Sequence, residues 1–102
     1  MAVLEIAHLD VIPAQTAAFE AAFAQAQAII AGMPGYLGHE LQQCVERPAH
    51  YALLVRWDSL EAHTVGFRAS AQYQQWKALL HHFYHPFPTV EHYQPVNLQR
   101  AE

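Results

Sequence analysis

The segment Tyr51-Ala-Leu-Leu-Val-Arg-Trp57 limits the folds open to this chain more than any other feature. In an extended strand, successive side chains leave opposite faces. Tyr51, Leu53, Val55 and Trp57 therefore share one side, and Ala52 and Leu54 the other. Both sides are apolar, so both need cover. A chain of 102 residues has room for one core but not for helical layers on both faces of a sheet. The composition sharpens the conflict, because 53% of the residues are hydrophobic and only 14% charged. A body this small cannot hide so much apolar surface, and the excess ends in a subunit interface or a ligand cleft.

The rest of the chain supplies the missing elements. Residues Ala2 to Leu9 alternate as a strand, with Leu4, Ile6 and His8 on one side and Val3, Glu5 and Ala7 on the other. From Ala14 to Ala31 the spacing predicts a long helix with Phe19, Ala22, Phe23, Ala26, Ile29 and Ile30 in one stripe, stopped by Gly32, Pro34 and Gly35. Tyr36 to Val45 reads as a second strand with Leu37, His39, Leu41 and Val45 facing one way. Glu46 to Ala49 form a hairpin loop before an antiparallel third strand at Tyr51 to Trp57.

Asp58 and Ser59 are both helix-capping types, opening a short helix through Glu61 to Phe67. Ser70 caps a second helix in which Tyr73, Trp76, Lys77 and Leu80 share a face. Pro86 and Pro88 end helical structure, Thr89 to Tyr93 suits a last strand, and residues 94–102 form a polar tail, frayed or swapped. The order strand, helix, strand, strand, helix, strand is the split βαβ unit of an α+β, ferredoxin-like domain with an antiparallel sheet. One domain over 1–102 is expected, with helices on one sheet face and a second copy of the chain covering the other.

Several partners and chemistries are disfavoured. The net charge is −4, and Arg47, Arg56, Arg68, Lys77 and Arg100 are scattered, so the basic stripe that nucleic acid requires is missing. The lone cysteine, Cys44, allows no internal disulfide and is expected to be an inert small hydrophobe. No basic segment with a long apolar run is visible, so no membrane partner and a cytoplasmic location are expected. Gly-rich phosphate loops, Cys-x-x-Cys pairs and His-Glu-x-x-His are absent, which argues against the commonly held nucleotide, flavin and nicotinamide cofactors.

Histidine is the abundant reactive type, with eight in the chain. His81 and His85 stand four apart, as a metal pair on a helix would. Pro86 follows at once and no third ligand is near in sequence, so the expectation is no metal, with the imidazoles favoured by the helix C-terminus. His8 and His39 fall among apolar strand positions and read as satisfied core or interface residues.

A second constellation runs His63-Thr-Val-Gly-Phe-Arg-Ala-Ser-Ala-Gln-Tyr73-Gln-Gln-Trp76. Together with the Met33 to Tyr36 turn, the Tyr51 to Asp58 stretch and Val90-Glu-His-Tyr93, it resembles the antibiotic biosynthesis monooxygenase family over nearly the whole chain. The resemblance implies a dimeric α+β barrel in which each subunit keeps its own cleft. It also implies a cofactor-independent monooxygenase acting on a small aromatic phenol or quinol with dioxygen. The alternative in the same fold is a non-catalytic dimer, stress-related or holding a small hydrophobic ligand. The heme-degrading branch uses an Asn in the first strand, a Trp in the short helix and a His in the next. Here Ala7 or His8, Phe67 and Lys77 stand near those places, which points away from heme.

An electron-rich phenol, once deprotonated, passes an electron to dioxygen itself, so the protein needs only a base, a hydrogen-bond donor and dry aromatic walls. On that logic His63 or His92 is the expected base and Tyr73 the hydrogen-bond partner. Arg68 is the stabiliser of a developing anion, and Phe67, Trp76 and Phe83 are the walls.

Overall fold

The computed structural model of the chain describes residues 1–98. Four strands, β1 (Val3–Asp10), β2 (Tyr36–Gln43), β3 (His50–Trp57) and β4 (Thr89–Tyr93), form one sheet in the order β2-β3-β1-β4. Every neighbouring pair is antiparallel. Helices α1 (Thr16–Ala31) and α2 (Ala71–Leu80) cross between strands on one face. This is the expected α+β, ferredoxin-like arrangement.

Alternation decides which side chains meet the helices. In β3, Tyr51, Leu53, Val55 and Trp57 are buried while Ala52 and Leu54 are only half-buried and Arg56 is exposed. The register Glu5↔Val55 and Ala7↔Leu53 puts the odd-numbered residues of β1 on that same covered side. Phe19, Phe23, Ala26 and Ile30 of α1 and Trp76 and Leu80 of α2 close over it. Leu4, Ile6, Leu54 and Leu37 are left on the opposite face, which no helix or strand among the described residues covers.

Two local departures from expectation matter. The uniform face expected for β2 breaks at a bulge between Tyr36 and Gly38, so Leu37 leaves on the open side, 57% exposed, while His39 turns to the helices. Val45 lies beyond the end of β2 and is 88% exposed. Between β3 and α2 the expected short helix is a π-helix, Ala62–Phe67, opened by Ser59 Oγ accepting from the Ala62 N–H at 3.1 Å. The Arg68 N–H reaches back five residues to the His63 carbonyl at 3.2 Å. Such widened turns recur at functional sites.

Ser70 caps α2 as anticipated, its Oγ accepting from the Tyr73 N–H at 3.1 Å. Of the expected tail, 94–98 are exposed and in no helix or strand, and 99–102 lie outside the described residues. Among the described residues no helix is long and apolar enough to cross a membrane.

Candidate functional site

Between the sheet and α2 lies a narrow, partly open cavity with a free volume of about 40 Å³. Its walls are mostly apolar: Ala7, Leu9 and Leu53 from the sheet, Phe23 and Ile30 from α1, and Phe67, Trp76 and Leu80 from the opposite side. Phe67 packs edge-on against both Tyr73 and Trp76, with ring centroids 5.2 and 5.7 Å apart. Into this box project Glu5, His63, Arg68, Tyr73, His81 and Tyr84.

The polar groups form a chain at one end. Glu5 Oε1 accepts from the Trp57 indole N–H at 3.0 Å and lies 3.4 Å from His63 Nε2. His63 Nδ1 is 2.7 Å from His92 Nε2. The fold makes this convergence. Glu5 pairs with His92 across β1 and β4, on the covered side, and the π-helix brings His63 down on top of them. The His63 ring stacks on Trp57 at 5.4 Å with only 18° between the planes.

Burial sets the protonation of these groups. Glu5, 5% exposed, has its pKa raised by desolvation, a rise opposed by the Trp57 hydrogen bond and the Arg68 charge. His63, 3% exposed, is brought down to about 3 by desolvation first, then by the charges of Arg68 and His92. It is a neutral imidazole at ordinary pH. His92 is lowered by desolvation and by Arg68, and Tyr73 is raised by desolvation, with Arg68 pulling the other way. One exposed cation at the end of the π-helix thus acts on four titratable groups.

The residues singled out from the sequence divide accordingly. His63, Arg68, Tyr73, Phe67 and Trp76 line the cavity. His92 stands behind His63 and touches the cavity through it. Phe83, expected as a third wall, belongs instead to the packing around α1. It follows α2 on a short 3-10 turn, and its ring meets Phe19 edge-on at 6.0 Å, outside the lining. The wall at that end is made by Tyr84, Phe87 and Pro88, which sequence reasoning did not select.

Helix α2 stops at Leu80, so His81 and His85 lose the four-residue helical relation; His81 turns inward against Tyr73, Tyr84 and Phe87. Among the described residues no group of three or more His, Cys, Asp and Glu side chains is placed to hold a metal ion. His39 is half-buried and hydrogen-bonded to Tyr36 and to Gln27, whereas His8 is exposed and stacks on His50.

Glu5 is the residue that sequence reasoning missed. A signal existed: Leu9 and Val11 continue the Val3, Glu5, Ala7 phase as apolar residues, and both are buried. A carboxylate inside an apolar phase marks a buried, partnered acid rather than a surface one.

A strand-order and cavity of this kind define an α+β fold with a pocket beneath its helices, and the sequence comparisons say whose. Residues 2–79 match the family model for antibiotic biosynthesis monooxygenase, and the chain belongs to that family. It is 62% identical over 78 residues to YczJ of Bacillus subtilis, an uncharacterized protein, covering 76% of this chain and 82% of that one. A crystal structure from Bordetella bronchiseptica that carries the family's name is 36% identical, covers 94% of this chain and 98% of its own, and superposes with a TM-score of 0.90. The fold is shared more distantly with SnoaB of Streptomyces nogalater, described as a cofactor-independent oxygenase, at 23% identity and a TM-score of 0.72 over 96% of this chain and 94% of SnoaB.

Proposed function

We propose that the chain is a cofactor-independent monooxygenase that oxidises a small phenol or hydroquinone with dioxygen, working as a homodimer. The observation that carries this reading is the polar chain Glu5–His63–His92, with Arg68 and Tyr73 beside it, set inside an otherwise apolar, aromatic-walled cavity. A pocket that merely stored a hydrophobic ligand has no use for a desolvated carboxyl and a neutral imidazole at its end. Family membership and the likeness to SnoaB support the same reading.

In this mechanism the basic cluster removes the phenol proton, Arg68 stabilises the resulting anion, and Tyr73 donates a hydrogen bond to a substrate oxygen. The phenolate then reduces dioxygen directly. For a hydroquinone the products are a hydroxyquinone and water: one oxygen atom enters the ring, the other leaves with two hydrogens, and the substrate supplies all the electrons. The apolar walls keep bulk water from the anion.

A space of about 40 Å³ holds two or three waters and no aromatic ring. Admission of substrate therefore requires part of the wall to yield, and the segment carrying Phe87, 64% exposed, is the part with least packing to lose. Oxygen consumption with a panel of hydroquinones and anthrones tests the assignment. Uptake is expected with at least one of them and falls about 100-fold or more in His63→Ala. No uptake across the panel would discard the monooxygenase reading.

A further inference from the structure

We propose that Glu5 is the base that takes the proton of the bound phenol, and that His63 and His92 are positioning residues that hold its carboxylate; the proposal rests on the phenol-binding reading above. The argument is one of valence. An imidazole has two ring nitrogens, and in its neutral form one donates and the other accepts. His63 Nδ1 is in hydrogen-bond contact with His92 Nε2 at 2.7 Å, and Nε2 lies 3.4 Å from Glu5 Oε1, a charge contact too poorly aligned for a hydrogen bond. One ring face is covered by Trp57. With Nδ1 accepting from His92 and Nε2 carrying its hydrogen beside the Glu5 carboxylate, a neutral His63 has no lone pair left for a ligand.

Glu5 is placed otherwise. It is the single carboxylate among the cavity-lining residues, and only its Oε1 is committed to Trp57 and His63. Oε2 is what remains for the cavity. With His92 Nε2 donating to His63 Nδ1, the remaining N–H of a neutral His63 is on Nε2, 3.4 Å from Glu5 Oε1, where its partial positive charge favours the carboxylate without protonating it. In the step proposed, the phenol O–H bond breaks and its electron pair stays on the phenol oxygen, with the Arg68 cation in the same lining. The proton forms an O–H bond with Glu5 Oε2. Desolvation makes this carboxylate a better proton acceptor than one in water.

His81 is the other imidazole of the lining; its ring packs 5.3 Å from Phe87 and 5.9 Å from Tyr73. Facing the Glu5 carboxyl are Trp57 from β3, His63 from the π-helix and His92 from β4, while Arg68 and Tyr73 couple to it through charge.

The test is equilibrium binding of a nitrophenol, whose neutral and ionised forms differ in visible absorbance, at a pH where the free probe is neutral. On the wild-type protein the bound probe is expected to ionise, and the infrared spectrum to gain the carbonyl band of a protonated carboxyl. In Glu5→Gln the probe is expected to bind un-ionised, with no such band. In His63→Gln and His92→Gln it is expected to ionise still, at a pH displaced from that of the wild type.

Ionisation that persists in Glu5→Gln but vanishes in His63→Gln overturns the proposal. So does a wild-type complex that stays neutral, lacks the infrared band or does not form; the band, read on the wild-type protein, keeps the test decisive if Glu5→Gln fails to fold. Oxygen uptake is not read here. Ionisation without turnover therefore sinks the monooxygenase reading alone, whereas turnover with a neutral bound phenol sinks the role of Glu5 alone.

Discussion

His63 is held neutral at a cost that becomes visible on acidification. Its ordinary pKa of 6.5 is lowered to about 3 in the folded chain, so between those values the unfolded chain binds more protons and stability falls as pH drops. Glu5 works in the opposite sense. Its folded pKa lies above 4.5, so in that upper range the folded state holds the extra proton and stability falls as pH rises; below 4.5 it is protonated in both states and contributes nothing. We expect urea midpoints to fall steeply from pH 5 to pH 3.5, and His63→Asn to flatten that slope; an unchanged slope would remove the buried neutral imidazole from the account. At this scale the sequence named His63, Arg68, Tyr73, Phe67 and Trp76 through a motif. It passed over Glu5, because Leu4 and Ile6 make the other phase the more apolar up to His8, and the phase of Glu5 is marked as interior only by its continuation through Leu9 and Val11.

At the scale of elements, the site hangs on the turn that starts β2. Gly35 adopts φ 85°, and a Cβ there would come within 2.6 Å of both the Ala62 methyl and Asp58 Oδ1. Its carbonyl accepts from the Asp58 N–H at 2.8 Å, tying the end of α1 to the entry of the π-helix. Gly35→Ala must both strain the backbone and push on the residue preceding His63. We expect a loss of about 2 to 4 kcal/mol in chemical denaturation, accompanied by weaker ligand binding; a variant as stable as the wild type would show the turn to be more compliant. The strands, both helices and the Ser59 and Ser70 caps were legible because period and capping chemistry are local. The π-helical widening and the bulge at Gly38 were not, since each is one residue too many for a regular element and is decided by what packs against it.

For the whole molecule, the open sheet face is the dominant fact. Leu4, Ile6, Leu54 and Leu37 form an apolar surface that no helix among the described residues reaches. The homodimer proposed above covers it. The protein is expected to sediment as a dimer at micromolar concentration and Leu54→Glu as a monomer, because a carboxylate at the centre of such an interface is left desolvated and unpaired; a wild-type monomer would end the proposal. The open apolar face was readable in the two apolar sides of Tyr51 to Trp57, whereas a cleft in each subunit was expected only from the family resemblance, for the cavity arises where α2 and β4 meet over β1.

Strand β1 belongs to both sides of the molecule at once. Glu5 points into the pocket, while Leu4 and Ile6, its immediate neighbours, point out through the other face. A strand only one backbone thick cannot shift on one side and stay still on the other. A guest that moved the backbone at Glu5 would carry Leu4 and Ile6 with it, so the filling of the chamber and the packing on the far face share one strand.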